Sequence, residues 1–68
     1  MRYAVVIRRD QGGYRAEVPD LPGCVATGAS EEDAKKEIAA ALRRHLAKLE
    51  RDGQKAPEPS LTVDYIEA

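Results

Sequence analysis

Residues 14–28, Tyr-Arg-Ala-Glu-Val-Pro-Asp-Leu-Pro-Gly-Cys-Val-Ala-Thr-Gly, constrain this chain more than any other stretch. Tyr14, Ala16 and Val18 alternate with Arg15 and Glu17, which is the period of a strand with one apolar and one charged face. Pro19 and Pro22 then remove two backbone donors and fix φ, so the strand must stop there. Pro22-Gly23 is a strong turn dipeptide. Residues 24–27 read as a short strand, and Gly28 allows a sharp exit towards a helix.

The flanking sequence extends this pattern. Residues 3–7 are rich in β-branched side chains and read as a first strand, joined to the second through Asp10-Gln-Gly-Gly13. Ser30 is a good N-cap, with Asp33 at the capping-box position. Ala34, Ile38, Ala41, Leu42, Leu46 and Leu49 recur at three- and four-residue spacing, which predicts an amphipathic helix to about Arg51. Glu31–Lys35 and Glu32–Lys36 are (i, i+4) pairs in the favourable order, worth roughly 0.3 kcal/mol each. Gly53 is placed to stop the helix. After a connector with Pro57 and Pro59, Leu61, Val63 and Tyr65 alternate with Thr62 and Asp64, so a fourth strand is expected. The expected fold is α+β, in the order β-β-β-α-β. Three antiparallel strands form a meander, one long helix covers one face, and the fourth strand joins an edge. Residues 1–68 make a single domain.

Length bears on assembly. A 68-residue chain without Phe or Trp builds its core from small side chains. Such domains are marginal alone and often associate. A homodimer or higher homo-oligomer is therefore expected. Cys24 is the only cysteine, which excludes an internal disulfide and suits a reducing compartment. No signal peptide or membrane-length apolar run is present, so a cytoplasmic, soluble setting without membrane association is expected.

Charge and motif content exclude several chemistries. Eleven basic residues balance twelve acidic ones, against the basic excess of most nucleic-acid binders. The local cluster Arg2, Arg8, Arg9 and Arg15 keeps a nucleic-acid module as a rival reading. Cys24 and His45 have no zinc-type spacing. Cys24 reads as a small buried hydrophobe, and His45 as a half-buried helix residue or one at a subunit contact. Ser30 is explained by capping, and no nucleophile elbow, phosphate loop or dinucleotide fingerprint occurs. A two-metal nuclease needs converging carboxylates. The first strand supplies none, and Asp10, Glu37 and Asp64 read better as solvated acids. No cofactor, metal or catalytic residue is expected.

Gly13-Tyr14-x-Ala16-x-Val18-Pro19-Asp20-Leu21-Pro22-Gly23-Cys24-x-x-x-Gly28, followed by a helix with Glu32 and Ala34, resembles the HicB-like antitoxin family over about residues 3–60. The resemblance implies a partial ribonuclease-H-like domain without that enzyme's active site. It also implies a non-catalytic protein that binds and inhibits a small HicA-type mRNA-cleaving toxin. The alternative is an orphan HicB-like domain acting as a protein- or RNA-binding module. Many relatives add a C-terminal DNA-binding domain; residues 1–68 hold none, and no direct DNA binding is expected. Tyr14, Pro19, Asp20, Pro22, Gly23, Cys24 and Gly28 transfer as scaffold. Exposure nominates Asp20 and Leu21 in the double-proline loop, with Arg15 and Glu17 on the charged strand face, as partner contacts.

Overall fold

A computed structural model describes residues 1–68. Three strands, β1 (Val6–Asp10), β2 (Gly13–Glu17) and β3 (Val25–Gly28), form an antiparallel sheet in the order β1-β2-β3. Helix α1 (Glu31–Arg51) runs back across one face. The α+β meander with one long helix is therefore as the sequence predicts.

Register explains which side chains meet the helix. Ile7 pairs with Ala16, Ala16 with Ala26, and Tyr14 with Gly28. Period-two alternation puts these on one face, together with Val18. They pack against Ala34, Ile38, Ala41, Leu42, Leu46 and Leu49, the whole predicted helical stripe. The fully buried centre is small: Ala16, Val18, Leu21, Cys24, Ala34 and Ile38.

Both helix ends are closed by local chemistry. Ser30 Oγ accepts the Asp33 N–H at 3.0 Å, and three acids occupy the first turn, where the helix dipole favours them. At the other end Gly53 has φ +72°. The Gly53 N–H donates to Glu50 O at 3.1 Å and the Gln54 N–H to Leu49 O at 2.8 Å. That pair of bonds is a Schellman motif, which needs the left-handed residue glycine supplies.

The expected fourth strand is absent. Residues 54–68 follow the helix as irregular chain, and no backbone–backbone hydrogen bond reaches residues 61–68. Two contacts account for its course. The Tyr3 hydroxyl donates to Pro57 O at 2.6 Å, and Ser60 is bound to Asp20. These hold the connector beside the start of the chain, so Leu61, Thr62 and Val63 flank Arg2, Tyr3 and Ala4, ahead of β1. Apolar alternation is present in the tail, but no strand edge is paired with it.

Candidate partner-binding surface

The double-proline segment is two successive β-turns sharing one residue. Leu21 N–H donates to Val18 O at 3.0 Å, closing a turn with Pro19 second. Cys24 N–H donates to Leu21 O at 3.0 Å, closing a turn with Pro22 second and Gly23 third. Gly23 has φ +88°, as the third position of a type II turn requires. Val18 N–H to Cys24 O, 3.0 Å, ties the two ends together.

This geometry corrects one expected contact. Leu21, shared by both turns, points into the core and is only 1% exposed. It is a packing residue beside Val18, and it offers no surface to a partner. The exposed parts of the corner are Pro19, Pro22 and Gly23, with Asp20 partly exposed.

Asp20 is itself engaged. Its Oδ1 accepts the Ser60 hydroxyl at 2.7 Å and its Oδ2 the Ser60 N–H at 3.0 Å. The bond from the Ser60 N–H, then that from its hydroxyl, holds the carboxyl below the usual carboxylate range. The sequence gives no hint of this 40-residue link, because the partner lies in an irregular tail.

Arg15 and Glu17 lie on the sheet face opposite the helix. Along this face Val6, Glu17 and Val25 form one cross-strand row and Arg8, Arg15 and Thr27 the next. Arg8 and Arg15 stand directly opposite each other, a like-charge pairing that costs free energy. Glu17, diagonal to Arg8, accepts from Arg8 Nη2 at 3.4 Å and offsets part of that cost. Arg15 and Glu17 thus share one uncovered surface, whereas Asp20 lies in the corner beyond the end of β2 and Leu21 is buried. Arg9 belongs to the helix-side face, where its guanidinium lies 5.8 Å over the Tyr14 ring and donates to the Tyr14 hydroxyl at 3.3 Å. That bond raises the Arg9 pKa further above its usual value.

The remaining candidates form no constellation with one another. Cys24 is buried, and burial pushes its thiol pKa up, away from the reactive thiolate. His45 is half-buried on the helix. Asp10, Glu37 and Asp64 form no cluster, and no three His, Cys, Asp or Glu side chains converge as a metal site. Gly28 has a packing role: a Cβ there would overlap Ala34 N and lie 2.8 Å from Asp33 C and 2.9 Å from Ala34 Cα. No helix is long and apolar enough to cross a membrane.

A three-stranded meander under one helix, with an uncovered charged face, defines a small α+β scaffold whose accessible features suit contact with another molecule. Residues 3–68 match the model of the HicB_like antitoxin of bacterial toxin–antitoxin systems. The chain belongs to the HicB-like antitoxin family. It is 36% identical over 58 residues to UPF0150 protein Ta0767 of Thermoplasma acidophilum, covering 84% of each chain. It is 47% identical over 47 residues to a UPF0150 protein of Helicobacter pylori, covering 69% of this chain and 65% of that one. An uncharacterized 14.9 kDa protein of Haemophilus phage HP1 is 29% identical over 66 residues; the match takes in 97% of this chain and 50% of the phage protein. No solved structure matches.

Proposed function

We propose that this chain is a non-catalytic antitoxin that binds a small HicA-type ribonuclease toxin and blocks RNA cleavage in the cytoplasm. The family match over residues 3–68 carries the reading. The uncovered sheet face is the surface proposed for the toxin, with Arg15 and Glu17 at its centre, and Asp20 in the proline corner is proposed as a further contact. Arg15 is free of any ion pair, and Glu17 keeps acceptor capacity beyond its single Arg8 contact. Both can form charge-assisted bonds to a partner, which are stronger than neutral ones. Self-association belongs to the same reading, since the buried core holds only six residues and β1 has an unpaired edge. Co-expression with the short basic product of an adjacent reading frame tests the proposal. Co-purification and loss of ribonuclease activity are expected; an active toxin that never co-purifies overturns it.

A second reading, RNA binding, is favoured by one observation, the juxtaposition of Arg8 and Arg15 on the open face. It predicts binding to RNA that weakens steeply with salt. Absence of binding at low salt removes it.

A further inference from the structure

The sheet order leaves the outer side of β1 unpaired, with its backbone donors and acceptors free. Beside that edge, between β1 and α1, lies an open groove of about 260 Å³ lined by Val5, Ile7, Ile38, Ala39, Leu42 and Lys35. Five of its six residues are apolar. Elsewhere the same chain exposes an apolar segment with strand alternation: Leu61 is 48% exposed, Val63 55%, Tyr65 89% and Ile66 91%. A run of exposed large side chains in one part of the chain and an unfilled apolar groove in another mark an interaction that the single chain leaves incomplete.

We propose that residues 61–66 of one copy pair with the β1 edge of a second copy and fill its groove, reciprocally about a two-fold axis. The proposal deepens the self-association reading above and is independent of toxin binding. Alternation would place Leu61, Val63 and Tyr65 towards the groove, and Asp64 on the opposite face with Arg8. Charge is complementary: the tail carries Asp64 and Glu67, while the receiving edge carries Arg8, Arg9 and, at the groove rim, Lys35. Main-chain pairing gives such strand addition its affinity and alternate side chains its specificity. Exchange also satisfies an isologous interface, since each copy gives one tail and receives one.

The dimensions favour a second copy as the donor. The radius of gyration is 13.0 Å, against about 11 Å for a compact chain of this length. The connector is fixed at Pro57 and Ser60, and the tail leaves the domain past Val63, as the exposure of Tyr65 and Ile66 records. Extended, the six residues after the Ser60 anchor span roughly 20 Å, enough to lie along an edge strand of an adjoining molecule.

Light scattering on the purified chain, without toxin, tests this. The expected mass is twice 7.5 kDa. Val63→Lys with Tyr65→Lys lies outside the folded core and should keep the helical circular-dichroism signal. It should weaken dimerisation at least tenfold. An Ala39→Cys/Tyr65→Cys double variant, oxidised, should migrate as a covalent dimer. Three results overturn the proposal: a monomer at every concentration, a dimer indifferent to the lysine variant, or an internal disulfide within a monomer. The indifferent dimer would leave self-association standing through another surface. None of the three bears on toxin inhibition, which is measured separately.

Discussion

Ser60 binds the Asp20 carboxylate twice, through its hydroxyl at 2.7 Å and its backbone N–H at 3.0 Å. The pair joins the double-proline corner to the connector after the helix and so fixes where the tail begins. Because the bonds favour the ionised form, the folded Asp20 pKa lies below its unfolded value. The contact's contribution is therefore present above the ordinary carboxylate pKa of about 4 and is lost as pH falls through the lower folded value. Carbon NMR titration of Asp20 should report that low pKa. Asp20→Ala should speed proteolysis after residue 54 while barely moving the melting temperature of the sheet and helix. Unchanged tail proteolysis would contradict the tether.

Leu21 and Arg15 should respond in opposite ways. Leu21 fills the core, so Leu21→Ala removes transfer free energy and leaves a cavity, a loss of about 2–4 kcal/mol. In a domain this small that lowers Tm by at least about 8 °C. Arg15→Ala changes an exposed side chain and should stay within about 0.5 kcal/mol of the parent. Thermal unfolding followed by circular dichroism separates them. A stable Leu21→Ala protein that fails only in binding would restore Leu21 to the surface.

Gly28 is where β3 passes under the first turn of the helix. Its missing Cβ lets Asp33 and Ala34 approach the strand. Gly28→Ala must push the helix off the sheet, at a cost of roughly 1–3 kcal/mol. Gly12→Ala meets nothing within 4 Å and serves as the control. Denaturant unfolding should show a lowered midpoint for the first alone.

Cys24 should behave as a core residue towards thiol reagents. At 3% exposure, with burial raising its pKa, it is protected in the folded state. Labelling should be slow in buffer and should rise along the unfolding curve as denaturant is added. Fast labelling of the folded protein would place Cys24 at the surface.

These residues also show what was legible in the sequence. The hairpin, the proline corner and the capped helix are written in local chemistry: period-two alternation, Pro at the second turn position, Ser30 and Gly53 at the helix ends. Each asks only about neighbours within a few residues, and each forms. However, β1 runs over Val6–Asp10 rather than residues 3–7, because pairing with β2 carries the strand through Arg8 and Arg9 up to the turn. The fourth strand depends on a distant partner. Alternation in residues 61–65 describes a segment able to pair, but pairing needs an edge at the right place, and the Tyr3 and Ser60 contacts set the tail elsewhere. Leu21 departs from the expected exposure because both turns direct this loop residue into the core. The signal was available, since it is the one apolar residue between Pro19 and Pro22 and belongs to both turns. Arg15 and Glu17 lie on the charged face as alternation predicts, because strand periodicity alone decides that. The pairing of Asp20 with Ser60 spans 40 residues and has no local signature.

The central claim is neutralisation of a ribonuclease by the sheet face opposite the helix. It is tested most directly by RNA cleavage with purified toxin from the adjacent reading frame, titrated with this chain. Stoichiometric loss of cleavage is predicted, with Arg15→Glu/Glu17→Arg requiring at least tenfold more protein for the same inhibition while folding normally. Cleavage undiminished by excess folded protein would contradict the account.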